Sequence, residues 1–381
     1  MTRGEIYRRL GVEPIVNANA TETILGGSLM RPEVVAAMVQ AADSFVDLVE
    51  LERRVGERLA RLTRNEAAFV CGGAASGLLL TAAACMTRGV EDGILRLEGL
   101  AGLPREFIIH PGHHVPYLSA IELVGGVLVE VGSTDGTDER ALEDAITDRT
   151  AGVVVVAGAH LAAGTLPLAT VIAAAHARNV PVIVDAAAQI PPLSSLWDFG
   201  VAGADFTILS GGKGLRGPAS TGLIVGREAG IRRCAANAAP LDRVGRPMKV
   251  GKEDLIGILT AVEIALAEDE AATIDGYERA VRHVIEWGNA RHDVDVVRET
   301  PSEAGQPMPR ARVSLRGRTP AQRDAVIADL RAGRPRVSVR PAGDDGIYVN
   351  PQTLLDDEVE IVCRRLAEIL DERPGAAIAT T

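Results

Sequence analysis

From residue 67 onward the chain repeats one pattern: a short apolar run ending in small or polar residues, then a stretch with helical spacing. The runs are Ala67–Val70, Glu106–His110, Val127–Val131, Gly152–Ala157, Pro181–Asp185, Asp205–Ser210 and Thr221–Val225. Several are apolar at nearly every position, as in strands covered on both faces; half-exposed hairpin strands would alternate. Stretches such as Gly77–Arg88 and Leu168–Arg178 lie between them. Strand and helix in alternation predict an α/β domain on a largely parallel sheet. Upstream, residues 33–62 carry helical spacing, and Pro32 suits a first helical turn. After about residue 250 a long helical stretch, Glu253–Glu270 continuing towards Trp287, leads into shorter mixed elements through Leu370. Thr300–Arg310, with three prolines, reads as a loop between them. The expected organisation is an N-terminal segment (1–50) partly packed on the small domain, a large ligand-binding domain (51–255), a smaller α+β domain (256–371) and a mobile tail (372–381).

Composition narrows the function. With 47% hydrophobic and 24% charged residues the chain can bury a sizeable core. Only 3% of it is aromatic, so aliphatic side chains must fill that core and base-stacking platforms are not expected. A formal net charge of −11 provides no field to attract nucleic acid or anionic lipid. Cys71, Cys85, Cys234 and Cys363 are scattered without a CxxC pair, which reads as buried thiols in a reducing compartment. The first residues, MTRGEIYRRLGVEP, lack a signal-peptide core, and no apolar run is long enough for a bilayer span. The expectation is a cytoplasmic protein.

The segments PVIVDAAAQIPP and ADFTILSGGKGLRGPASTG carry the chemistry. The first is a buried strand ending in Asp185; the second ends in Ser210 and runs through two glycines to Lys213. In open α/β sheets, ligands bind beyond the carboxyl ends of the strands, so acid and lysine would reach one crevice. Pyridoxal 5'-phosphate (PLP) needs that pair: a carboxylate keeps its pyridine nitrogen protonated, and a lysine binds its aldehyde. Taken singly, Asp185 could cap a loop and Lys213 could be a surface lysine; the joint pattern favours the cofactor. In CGGAASGLLLTAAA, small residues run into a helix start whose free N–H groups suit the cofactor phosphate. FIIHPGHHVPYLSAIE places three histidines close together, but no neighbouring acid or thiol completes a metal set. His113 is instead the candidate to stack on the pyridine ring.

These motifs resemble the selenocysteine-synthase-like branch of fold-type I PLP enzymes, with an aminotransferase class V-like fold, which includes D-glucosaminate-6-phosphate ammonia-lyase. The resemblance covers most of the chain, and SGGKGLRGP and GRPMKVGKE are its most specific blocks. It implies a PLP-dependent transferase fold: a large domain with a mostly parallel mixed sheet, plus the smaller α+β domain. It further implies Lys213 as the Schiff-base lysine, Asp185 as the pyridinium partner, and Gly73, Ala74 and Ala75 with Ser210 around the phosphate. His113 would lie over the cofactor and Gln189 would reach its phenolic oxygen. Arg216 would take an acidic substrate group and Arg340 the α-carboxylate. A homodimer or higher homo-oligomer is implied as well. The chain departs from the family where Arg-Gly-His-Arg and Tyr-Asp are usual: Pro111-Gly112-His113-His114 and Tyr117-Leu118 stand there, which alters two polar contacts near the substrate. Arg310, Arg312 and Arg316 read as arginines of a solvated strand.

The expected reaction is Cα deprotonation of an amino acid or amino-sugar acid. β-Elimination and deamination of a hydroxy-amino acid to a 2-oxo acid and ammonia lead; racemisation or transamination is the alternative. Selenocysteine synthesis and a catalytically silent PLP-fold binder rank below these, the first because of the net charge and the short N-terminal segment, the second because Asp185 and Lys213 are both intact.

Overall fold

The computed structural model describes residues 3–372, so all of the expected tail beyond residue 372 lies outside them. Strand β1 (Ile15–Asn17) belongs to a small unit described below. The next seven are β2 (Ala67–Cys71), β3 (Glu106–Ile109), β4 (Val127–Glu130), β5 (Thr150–Val156), β6 (Val182–Asp185), β7 (Phe206–Ser210) and β8 (Gly222–Gly226). They form one sheet in the order β2-β8-β7-β6-β5-β3-β4, in which β8 alone runs against its neighbours. The seven apolar runs of the sequence are thus the seven strands of a mixed, mostly parallel sheet.

Except at the edge strand β4, both faces of this sheet are covered, which is why its strands do not alternate. Val182 and Val184 of β6 join one core with Val153, Leu209 and Leu223; Ile183 joins the other with Phe107, Val154 and Ile208. The helices Leu48–Leu62, Leu168–His176 and Lys252–Ala267 supply Leu59, Ile172 and Ile258 to the first core. The helices Ala74–Met86 and Glu228–Asn237 supply Leu78 and Ile231 to the second. Each such buried side chain contributes roughly 1.5–3 kcal/mol over its exposed state. Ser76 through Met86 are all buried, and the two polar side chains among them, Ser76 and Thr81, donate to backbone carbonyls of the preceding turn. Gly77 lets it close on the sheet: a Cβ there would stand 2.8 Å from Cγ2 of Ile208.

Residues 33–62 form two helices, Pro32–Ala42 and Leu48–Leu62. Asp47 caps the second, its side chain accepting from the N–H of Glu50 at 3.0 Å. The stretch after residue 250 divides in the same way into Lys252–Ala267 and Glu270–Asn289, with Asp269 accepting from the N–H of Ala271 at 2.9 Å.

The chain forms two compact units. One comprises Ser28–Glu268 with Glu303–Gly305 and contains the seven-stranded sheet. The other takes the described parts of Met1–Gly27, Asp269–Ser302 and Gln306–Thr381. In it β9 (Val294–Glu299), β10 (Arg310–Leu315), β11 (Arg336–Ser338), β12 (Arg340–Ala342) and β13 (Gly346–Val349) follow in sequence. An antiparallel sheet runs β12-β13-β10-β9, while β1 pairs in parallel with β11. Strand β10 alternates buried with half-buried positions, as expected of a sheet covered on one face. The helix Pro320–Ala332 opens with a capping box between Thr319 and Gln322. No helix among the described residues is long and apolar enough to cross a membrane.

Candidate active site

The carboxyl ends of β2, β3, β5, β6 and β7 share one edge of the large sheet, and every predicted site residue except Arg340 lies in or after one of these strands. Asp185 ends β6 and pairs with Ile208 of the adjacent β7; Ser210 ends β7, and Gly211-Gly212-Lys213 follow. Asp185 is 6% exposed. Its Oδ1 accepts from the N–H of Ala187 at 3.0 Å. Oδ2 has no hydrogen-bond partner among the described residues. Burial pushes the carboxyl pKa up, opposed by the Ala187 N–H and by the charge of Lys213. The acid and the lysine therefore share one electrostatic environment. A buried carboxylate held up in this way favours any cation brought to its free oxygen.

Ser210 and Cys71 flank Gly222 across β7, β8 and β2, so the strand end before Lys213 and the start of the Ala74–Met86 helix are near neighbours. Gly73 is the N-cap of that helix, at φ 93°, a left-handed backbone that glycine adopts without steric cost. No side chain caps this end and no acid stands in its first turn, so the N–H groups of Ala74 and Ala75 face outward on the positive end of the helix.

His113 closes a 3-10 turn after β3 and is 5% exposed. The neighbouring His110 is locked: Nδ1 accepts from the N–H of Gly112 at 2.9 Å, so Nε2 carries the hydrogen and meets the Ser133 carbonyl at 3.0 Å. The two rings meet edge to face with centroids 5.7 Å apart. Burial first, and His110 second, push the His113 pKa down to about 4, so its ring is neutral at ordinary pH. His114 instead pairs with Glu130 at the surface, so the three imidazoles do not converge. No group of three His, Cys, Asp or Glu side chains suited to a metal occurs among the described residues. A folded pKa near 4 against an ordinary 6.5 means that the unfolded chain binds a proton between these values which the folded one refuses. Stability contributed by neutral His113 is accordingly expected to fall as pH falls through this window. Thermal melts of the apoenzyme should show a shallower acid decline for His113→Phe than for wild type.

Gln189 commits its amide hydrogens to backbone. Nε2 donates to the Ala157 carbonyl at 3.0 Å and to the Ala304 carbonyl at 2.8 Å. That leaves no amide N–H for a phenolic oxygen; the side chain braces the end of β5 against the Glu303–Gly305 segment. Gly305, at φ 83°, lets this segment sit tightly on Ala159. Nothing in the linear pattern places these residues at the strand ends, although Gly305 between flanking prolines marks a turn.

A second feature that sequence spacing misses is a strap over the lysine loop. Ser28 donates both its backbone N–H and its hydroxyl to the Gly212 carbonyl, each at 2.9 Å. The buried Arg31 donates to the Leu215 carbonyl at 2.9 Å and pairs with Glu268. Arg216 donates from Nε to the Leu29 carbonyl at 3.2 Å. Its own backbone is left-handed at φ 56°. Arg340 lies in the other unit, where it pairs with Glu22 at 2.8 Å. Arg312 and Arg316 pair with Asp345 and Asp295. Arg310 differs from its expected exposed state: its side chain is 11% accessible and stacks 3.6 Å from the Tyr348 ring centroid.

An α/β sheet with a buried acid and a glycine-flanked lysine at adjacent strand ends defines a PLP-dependent enzyme, and comparison with known proteins agrees. Residues 108–245 match the aminotransferase class-V family. The D-glucosaminate-6-phosphate ammonia lyase of Salmonella typhimurium (strain 14028s / SGSC 2262) is 32% identical over 376 residues, covering 96% of this chain and 98% of that protein. The 5'-C-glycyluridine monooxygenase-decarboxylase of a Streptomyces species is 33% identical over 387 residues, covering 97% and 93%. A solved structure of D-glucosaminate-6-phosphate ammonia-lyase superposes with a TM-score of 0.84 at 32% identity, over 98% of this chain and 99% of that one. The chain belongs to the fold-type I PLP-dependent enzymes, in the branch that contains D-glucosaminate-6-phosphate ammonia-lyase. Its residues fit the cofactor: an uncapped helix end for the phosphate, a buried carboxylate oxygen without a partner for the ring nitrogen, and a lysine within reach of that charge.

Proposed function

We propose that the chain is an ammonia-lyase that removes the elements of water from a β-hydroxy amino acid or amino-sugar acid and releases a 2-oxo acid and ammonia. The observation that carries this reading is Asp185: buried at the end of β6, with one oxygen free and the charge of Lys213 acting on it. Bound PLP supplies an electron sink for the electron pair left at the substrate Cα. Asp185 holds the proton on the ring nitrogen that makes the sink effective. Gly73, Ala74 and Ala75, with Ser210, hold the phosphate. His113 offers a neutral flat ring, and Gln189 keeps the crevice wall in place through Ala157 and Ala304. Nζ of Lys213 takes the Cα proton and gives it to the β-hydroxyl, which departs as water; the enamine set free tautomerises to an imine, which water hydrolyses to the oxo acid and ammonia. Arg216 binds an acidic group of the substrate. The site is to be tested with holoenzyme and a panel of D- and L-hydroxy-amino acids and amino-sugar acids, with ammonia and oxo acid measured. Ammonia without oxygen uptake supports the reading. Oxygen uptake with release of carbon dioxide would align the chain with its Streptomyces relative, and inverted or amino-transferred product would mark a racemase or transaminase.

Arg216→Lys separates substrate binding from a structural role, because lysine keeps the charge and loses the planar fork. The expected result is a KM raised about tenfold or more, with PLP content unchanged. Normal KM with altered assembly would assign Arg216 to a structural contact.

The partner is a second copy of the chain. Between residues 35 and 49, the side chains of Val35, Val39, Phe45, Val46 and Val49 are exposed, Phe45 wholly so. Light scattering should report at least a dimer, and Phe45→Glu should shift it towards monomer.

A further inference from the structure

At the opposite edge of the large sheet, below the starts of β6 and β7, lies a cleft of about 290 Å³. Arg88, His176, Asp205, Arg227 and Arg233 line it, with the buried Cys85 at its wall. Asp205 is the one carboxylate among its described lining residues, and it is fully engaged. Its Oδ1 meets Nε of Arg227 at 3.1 Å, while Oδ2 meets Nε2 of His176 and accepts from the N–H of Val182, both at 2.8 Å. Arg88 and Arg233 have no acidic partner among the described residues. Nη1 of Arg88 donates to the carbonyls of Thr150 and Ala151, and Arg233 donates to those of Ala229 and Arg88. Carbonyls fix the guanidinium groups in place without cancelling their charge. One carboxylate thus faces three arginines in a recessed space, where opposite charge is screened less than at an open surface.

We propose that this cleft is a binding site for a phosphate group, free or on a small organic phosphate, separate from the active site. The chemistry favours a doubly charged oxyanion. Two uncompensated guanidinium groups match its charge, and Nε and Nη2 of Arg88, which donate to no protein group among the described residues, suit its oxygens. Asp205 couples the site to the sheet. It immediately precedes β7 and holds the first N–H of β6, the two strands whose far ends carry Lys213 and Asp185.

The test titrates PLP-loaded enzyme with inorganic phosphate, glycerol 3-phosphate and malonate, by calorimetry and thermal shift. Saturable phosphate binding is expected with a Kd of about 1 mM or below. Arg233→Ala, and Arg233→Lys should alanine fail to fold, are expected to weaken it about tenfold. Arg216→Lys should retain it, which separates this cleft from an acidic subsite beside Lys213. Binding of the ester alone assigns the occupant to an organic phosphate, and binding of both shows that the phosphate group suffices. Failure of both phosphate and ester to bind saturably, equal binding of malonate, loss in Arg216→Lys, or undiminished binding in the Arg233 variant overturns the proposal. None of these outcomes depends on which amino substrate the enzyme uses.

Discussion

Lys213→Ala is expected to purify without the visible absorbance of protein-bound PLP and to lose activity by about 10⁴-fold or more, since nucleophile and base are lost together. Two functions reside in Nζ: it holds the cofactor aldehyde covalently, and it takes the Cα proton. Alanine removes both while leaving the loop intact, because the bonds from Ser28 to Gly212 and from Arg31 to Leu215 use backbone carbonyls. The variant should therefore melt close to the wild-type apoenzyme. Borohydride treatment followed by mass measurement gives the decisive readout: wild type acquires the mass of reduced PLP and the variant does not. A variant that still fixes PLP covalently would move the lysine role to another residue.

Asp185→Asn is expected to have opposite effects on the apo and loaded forms. In the apoenzyme, burial holds the Asp185 carboxyl pKa above its ordinary value, so the folded state binds a proton more tightly than the unfolded one. Stability from this group is full at pH values below the ordinary carboxylate range and declines as pH rises through the elevated folded value. Asparagine is neutral and still offers an oxygen to the N–H of Ala187, so the variant apoenzyme should melt higher than wild type at neutral pH. In the loaded enzyme that neutral amide no longer holds the ring nitrogen protonated. Exchange of the substrate Cα proton with solvent deuterium should fall about 10²–10³-fold, the size of losing one preorganised electrostatic contact. Wild-type exchange in the variant would refute the assignment, and an apoenzyme no more stable than wild type would show that the charge is balanced elsewhere.

The strand-end positions of Asp185 and Lys213 were legible because each is written locally: an apolar run that stops at an acid, and another that passes through two glycines to a lysine. Six of the seven strands were legible for the same reason, their two-sided burial being visible residue by residue, while the edge strand β4 is apolar in sequence but has no buried position. Their order was not. β8 returns antiparallel between β2 and β7, and β1 pairs with β11 more than 300 residues away; neither pairing leaves a periodic trace. Helical periodicity likewise ran through the breaks at Asp47 and Asp269, where the side chain as a cap was the available signal. Gln189 was legible as a polar residue after β6, but its two carbonyl partners come from β5 and from a segment 115 residues downstream. Arg310 was misjudged as exposed because its cover, Tyr348, lies on a different strand.

The strap from Ser28 to Arg31 has a consequence for biosynthesis. The Ser28 hydroxyl and the Arg31 guanidinium each find their carbonyl partners 184 residues later in the chain. At ribosomal rates of about 5–20 residues per second, that separation keeps the early segment waiting roughly 10–40 s before its docking site exists. Until then Val34, wholly buried in the folded chain, emerges beside the strap without the packing that later covers it. Once the Lys213 loop arrives, the same segment clamps it from Gly212 to Arg216. A ribosome-bound chain halted before Gly212 is thus unable to complete its cofactor site, whatever the supply of PLP in the cell.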